Sequence, residues 1–386
     1  MAASIGPLIA ADEQFTHQIV DTHARVGTSE RSWTEKVCAQ ASAMDGSVQL
    51  ALGVGKYTNR NVMDGYAGIS RGVEQWTVRS SRVLAPNPED TTIGPIHYDI
   101  NEPLREIRFA LDANDAQPIA FEWIFTGVVP PALENREVHV SRDRYRIDAD
   151  VIRYHQVGTA RGWVEIDGDR TEFDDTSWIS TRDRSWGVRY GVGAPIPDVA
   201  PNPVPAGAFA YVLWFPVSCT HADGTPFGLH FYYQRFGFGA RGRLTFEGGI
   251  EHANGKREDF IAARPDLSFD DATRRFEGGT ITVTMADGTD RVYRLTPVSD
   301  TGFLLAAGLY GGYDDHYHGQ FRGPSHLDGD HYPDCTLPGA VRELHQHGQR
   351  LVRVEDPDGG VGYGDLQSII TGPHPEIGLT QEGEIT

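Results

Sequence analysis

Three stretches of this sequence carry side chains whose types and spacing could do chemistry. Near the middle, Arg182-Asp183-Arg184-Ser185-Trp186-Gly187-Val188-Arg189 crowds three arginines, a carboxylate and an indole into eight residues. Arginine binds carboxylates through two parallel hydrogen bonds and stacks on rings, so the cluster reads either as a structural ion-pair knot or as one wall of a site. In a site, Asp183 is the proton donor or acceptor, and the indole of Trp186 shelters a cationic transition state. The second stretch is Leu229-His230-Phe231-Tyr232-Tyr233-Gln234. On a strand, His230, Tyr232 and Gln234 share one face, either as the polar tips of an apolar pocket or as the solvated side of a sheet. His155, in Arg153-Tyr154-His155-Gln156, poses the same choice between pocket and solvent.

The third stretch, Gly311–Cys335, is the densest His/Asp run in the chain. Asp314, His316 and His318 alternate as ligands on one strand face would, followed by His326, Asp328, Asp330, His331 and Asp334. Imidazoles and carboxylates so spaced can hold Zn²⁺ or Fe²⁺. They match no specific metal motif, and turn-forming Asp and Gly make a solvated loop the stronger reading, so no metal and no cofactor are expected. His345 and His347 fall in a short polar segment expected to be exposed. Nucleophile-elbow, phosphate-loop, dinucleotide and Cys–His patterns do not occur.

The elements that must position these groups read as strands. Residues 47–54, 72–83 and 104–111 alternate in part, and 119–125 sets Phe121, Trp123 and Phe125 on one face. Asp-Gly pairs, which supply the positive φ of tight hairpins, begin at Asp45, Asp64, Asp167, Asp223, Asp287, Asp328 and Asp358. Many short strands with regular turn signals predict an all-β sandwich or barrel. Helix is expected only in a short stretch starting at Ser32 and in Pro338–Gln349. Residues 191–207 contain five prolines and read as a connector, dividing the chain into an N-terminal barrel (1–190) and a C-terminal barrel (208–386).

Bulk properties narrow the function classes. The 386 residues are 39% hydrophobic and 10% aromatic, as in a globular protein, and the formal charge is −20. Such acidity argues against nucleic acid and anionic membrane surfaces as partners. Cys38, Cys219 and Cys335 are odd in number and widely spaced, which suits a reducing compartment. With no basic leader and no apolar run of about 20 residues, the expectation is a cytoplasmic protein without membrane insertion.

The stretch from Tyr154-His155-Gln156-Val157-Gly158 through Asp167-Gly168 to Arg182–Arg189 resembles the AttH-like superfamily, which includes carotenoid hydratases (hydroxyneurosporene synthases). His318-Gly319-Gln320-Phe321-Arg322-Gly323 and Gly362-Tyr363-Gly364-Asp365 resemble that group's second half. The resemblance implies two lipocalin-like antiparallel β-barrels in tandem. It also implies a lyase, hydratase, isomerase or cyclase acting on a hydrophobic small molecule such as a terpenoid, polyene, steroid or aromatic alkene. A hydratase needs an acid to protonate the alkene, aromatic cover for the carbocation and a base to activate water. Asp183, His230 and His318 are the catalytic candidates, and Trp186, Trp123, Tyr232, Arg184 and His155 the substrate-binding ones. The alternatives are a non-catalytic carrier of a hydrophobic ligand and a metal-dependent enzyme built on residues 314–331.

Overall fold

A computed structural model describes residues 8, 10–15, 26–87, 89–140, 146–196, 200, 207–238, 241–344 and 347–380. The first half of the chain runs through β1 (Trp33–Ala43), β2 (Gln49–Tyr57), β3 (Val62–Arg71), β4 (Glu74–Val83), β5 (Ile96–Glu102), β6 (Glu106–Leu111), β7 (Ile119–Gly127), β8 (Ala132–Leu133), β9 (Glu137–Val140), β10 (Ile147–Ile166), β11 (Asp169–Phe173) and β12 (Trp178–Val188). The second half contributes β13 (Ala208–Thr220), β14 (Pro226–Phe238), β15 (Arg241–His252), β16 (Arg257–Phe269), β17 (Phe276–Met285), β18 (Asp290–Pro297), β19 (Phe303–Leu304), β20 (Ser325–Tyr332), β21 (Gly348–Glu355) and β22 (Val361–Thr371). The fold is all-β, as the alternation and turn signals predict. The one α-helix among the described residues, α1 (Pro338–Glu343), falls where the sequence indicates.

The strands form two sheets. In the second, β13 to β18 follow one another, and β21 and β22 close the ring through antiparallel pairs with β18 and β13, giving an eight-stranded barrel with β19 appended to β21. The first is a half-barrel in the order β20-β4-β3-β2-β1-β12-β10-β7-β6-β5, its two edges unjoined. Each has its own apolar interior. Phe109, Phe121, Trp123 and Phe125 fill the half-barrel, with Phe109 and Trp123 stacked at 4.8 Å, and Phe215, Phe231, Phe260 and Tyr293 fill the barrel. Each such ring contributes about 2 kcal/mol by leaving water.

Three readings of the sequence change. The stretch from Ser32 does not start a helix: Val37, Ala39, Ala41 and Ala43 enter the core at two-residue spacing, and periodic burial outweighs a capping signal. The Asp-Gly pairs at 64 and 328 are not turns, since both lie inside strands. Their glycines serve close backbone approach, for a Cβ on Gly329 would stand 2.5 Å from the Thr77 carbonyl oxygen. Finally, residues 325–332 are strand β20, which leaves the second half and pairs with β4 of the first sheet. The prolines at 197, 201, 203 and 205 of the connector fall outside the described residues. Among the described residues no helix is long and apolar enough to cross a membrane.

Candidate active site at the seam between the sheets

The outer face of the half-barrel packs on the outer face of the barrel, and strand parity decides which side chains meet there. On β1, the core-facing Val37 and Ala39 alternate with Lys36, Cys38, Gln40 and Ser42. On β12, Arg182 and Arg184 turn into the half-barrel while Thr181, Asp183 and Ser185 turn to the seam. Arg182 grips Glu13 through two hydrogen bonds of 2.7 and 2.8 Å, and Tyr98 and Tyr154 donate to the same carboxylate. Against the desolvation that would raise it, the Arg182 charge pulls the Glu13 carboxyl down to about 2. Arg184 bonds Glu35 at 2.6 Å and lies 4.2 Å over the Phe15 ring. Both guanidiniums are fully buried and lock an N-terminal segment onto the sheet.

The seam side of the same strand is different. Asp183 is 15% exposed, and among the described residues its one ion-pair contact is 3.7 Å to Arg153 Nε, too long for a hydrogen bond. It is cross-strand partner to Cys38, with Lys36 two residues along on the same face. Burial pushes the Asp183 carboxyl up, partly offset by the charges of Arg153 and Arg189. Burial and then Arg189 pull the Lys36 ammonium down to about 7, with its Nζ 4.1 Å over the Tyr310 ring. Tyr310 meets the His318 ring edge-to-face at 4.7 Å, and His318 Nδ1 stands 3.5 Å from Asp64 Oδ1. Burial and Lys36 hold His318 at about 4, so it is neutral at pH 7. Cys38 Sγ lies 3.0 Å from the Tyr66 hydroxyl, and burial raises both groups. An acid shifted up, an amine shifted down and a neutral imidazole therefore converge on one face.

Arg153 links this chamber to a second cluster. It donates to Glu134 Oε2 at 3.0 Å and also approaches Glu137. Glu134 Oε1 accepts from Trp214 Nε1 at 2.9 Å and lies 3.0 Å from His155 Nδ1. The other nitrogen of His155 is 2.7 Å from Glu251 Oε1 on β15. His155 and His230 stack with centroids 3.7 Å apart, and both are fully buried. Against the pull of burial, Glu251 and Glu134 raise His155 to about 9, whereas burial and the His155 charge push His230 well below its usual range. Among the described residues this trio, Glu134, His155 and His230, is the one group whose donor atoms lie close enough to share a metal ion.

Of the residues nominated from sequence, the structure brings Asp183 and His318 to the Lys36 chamber, and His155, His230 and Tyr232 to the adjoining cluster, where Tyr232 donates to Glu137 at 2.9 Å. Three lie elsewhere. Trp186 faces away from Asp183 and packs edge-on against Tyr154, Arg184 is consumed by Glu35, and Trp123 is sealed in the half-barrel core. The His/Asp run does not converge: Arg79 takes Asp328 and Asp330, and His331 stacks on Trp76 at 4.6 Å. His345 is outside the described residues, and His347 lies 2.7 Å from the amide of Gln367. Lys36, Glu134, Arg153, Glu251 and Tyr310 were missed. For Lys36 the signal was the Lys36-Cys38-Gln40-Ser42 alternation, hidden by the helix reading. The others are isolated residues that only tertiary packing assembles.

Two recesses lie away from this chemistry. One of about 400 Å³ is lined by Val48, Val164, Ile166, Phe173 and Trp178 with polar neighbours. A small one of about 40 Å³ adjoins Arg274, Arg275 and Arg350.

The chain belongs to a family of unknown function, DUF8625, which it matches over residues 8–380. No curated protein matches its sequence significantly. Among solved structures it is similar to a Nitrosomonas europaea protein assigned to AttH (12% identity, 87% of this chain and 92% of that one, TM-score 0.48). It is also similar to kievitone hydratase from Nectria haematococca (10%, 87% and 89%, TM-score 0.43) and to CghA (11%, 88% and 88%, TM-score 0.47). AttH is the group that the sequence motifs resemble. At these identities and scores no activity is carried over from the neighbours.

Proposed function

We propose that this DUF8625 member is a lyase or isomerase that moves protons on a small hydrophobic molecule at the seam, by hydration–dehydration or by double-bond migration. The observation that carries the reading is the pairing of Asp183, pushed toward its neutral form, with Lys36, pulled to about 7, on one face of adjacent strands. Groups whose environments shift their pKa values toward the operating pH are suited to act as general acid and base.

In the hydration direction, neutral Asp183 gives its proton to one alkene carbon, and the resulting cation is met by the face of Tyr310. Water adds at the other carbon, and its proton passes to neutral Lys36 or His318. The proton returns from that base to Asp183, so the product gains one water and the protein is unchanged. In isomerisation the base instead removes a proton from carbon, and the product mass does not change. Incubation with panels of terpenoid, steroid and aromatic alkenes, read by mass spectrometry, tests this. A product gained by the native protein and lost in Asp183→Asn is expected; equal turnover by that variant sinks the acid role.

A second reading is favoured by the recess of about 400 Å³ beside Trp178: a carrier that holds a hydrophobic ligand without reacting. Quenching of tryptophan fluorescence by a ligand that is recovered unchanged, and that Asp183→Asn binds equally well, is the outcome that reading requires.

A further inference from the structure

We propose that Glu134, His155 and His230 bind one divalent first-row metal ion, Zn²⁺ or Fe²⁺, across the seam. Glu134 Oε1 stands 3.0 Å from His155 Nδ1 and 3.5 Å from His230 Nε2, and all three donor atoms lie within 4.8 Å of one another. Ligands bound at about 2.1 Å to a common ion are separated by roughly 3 Å, so these spacings are edges of a coordination polyhedron before any ion enters.

The independent observation is His230. It is fully buried, and among the described residues neither ring nitrogen has a hydrogen-bond partner. Buried imidazoles in general find partners; His318, also unbonded among the described residues, faces Asp64 alone, whereas His230 faces Glu134 at 3.5 Å with the His155 ring beside it. The rings are stacked at 26°, so binding one ion requires them to splay until both in-plane lone pairs meet on the Glu134 side.

The surroundings are those of a metal site's outer shell. Glu251 takes the far nitrogen of His155 at 2.7 Å, the carboxylate–histidine arrangement that fixes the tautomer and ring of a ligand. Trp214 and Arg153 orient the Glu134 carboxylate. Charge agrees. Glu134, Glu137, Glu247 and Glu251 are gathered around Arg153 and Arg257, an acidic excess that a divalent cation offsets. Two imidazoles and one carboxylate select Zn²⁺ or Fe²⁺ over the harder Mg²⁺ and Ca²⁺. Glu134 and His155 belong to the half-barrel segment and His230 to the barrel, so the ion would clamp one sheet to the other. This does not depend on the proton-transfer reading of the neighbouring chamber.

Full-length protein stripped by chelator and titrated with Zn²⁺ by calorimetry tests the site, with Co²⁺ as an optical probe of ligand number and type. One equivalent should bind, raise Tm and give a Co²⁺ spectrum of nitrogen–oxygen ligation. His230→Gln should weaken binding by about 100-fold or more, and Glu251→Gln, which spares the ligands, by roughly 10-fold. His331→Ala, on exposed β20, should leave it unchanged. Absence of stoichiometric binding overturns the proposal, as does binding that His230→Gln leaves intact or that His331→Ala removes. If His230→Gln does not fold, the native Co²⁺ spectrum decides, since bands without imidazole character overturn it equally.

Discussion

At the scale of residues, one strand divides its side chains between two tasks. Arg182 and Arg184 are structural and Asp183, between them, is not, because successive strand residues face opposite ways. Replacing Asp183 by Asn keeps size and removes the proton; turnover in the reaction proposed above should fall by about 10²–10⁴-fold while the urea midpoint barely moves. The cycle needs neutral Asp183 and neutral Lys36 together, so the rate should be bell-shaped in pH with one inflection at about 7 set by Lys36. The groups facing it are Arg189, Asp64, Cys38, Asp183, Tyr310 and His318. A pH–rate profile of Lys36→Met should lack that inflection. By contrast Glu13→Gln leaves a buried guanidinium half-paired, and should cost about 3–5 kcal/mol in urea denaturation without touching the seam. The Arg/Asp/Trp cluster was legible as important in the sequence. Its division of labour was not, because facing is fixed by register, and the partners Glu13 and Glu35 lie far from it along the chain.

At the scale of elements, β22 and β1 are joined by a carboxylate that has no cation partner among the described residues. Asp365 is buried and accepts from Ser42 at 2.8 Å, Gln49 at 2.8 Å and Thr181 at 3.0 Å. Burial raises it from 3.8 to about 6. A carboxyl with a raised folded pKa contributes its full stability below the unfolded value and loses it as pH climbs through the folded one. The attachment should therefore weaken between about pH 4 and 7, by about 3 kcal/mol in total for a shift of this size. Asp365→Asn, which imitates the protonated acid, should match the native protein near pH 4 and exceed its stability at pH 8, as calorimetry at the two pH values would reveal. The hairpins at Asp167, Asp223 and Asp287 were readable because their chemistry is local. Strands β1 and β20 were not: in β1 one valine and three alanines carry the core alternation, and β20 displays His and Asp to solvent and to Arg79.

At the scale of the molecule, tandem β units could be foreseen from turn spacing and the proline-rich connector, but the exchange between them could not. Strand β20 completes the first sheet from the second half, with Arg79 of β4 bonded to both Asp328 and Asp330. With this strand, the Asp365 contacts and the His155–Glu251 contact all crossing the seam, the halves should unfold together. Tryptophan fluorescence and far-ultraviolet circular dichroism should give coincident urea transitions, and two separated transitions would refute the coupling. The crossing strand also imposes an order on synthesis. The half-barrel is the first part of the chain to leave the ribosome, yet the hydrogen-bonding edge of β4 has no partner until Tyr332 has been made. Throughout that interval the nascent chain carries an open strand edge over a finished apolar interior, the kind of surface that recruits chaperones or pairs with a neighbouring copy. Slower elongation over the barrel-coding portion of the message should therefore lower the yield of folded protein, and a trapped intermediate should be one that lacks β20.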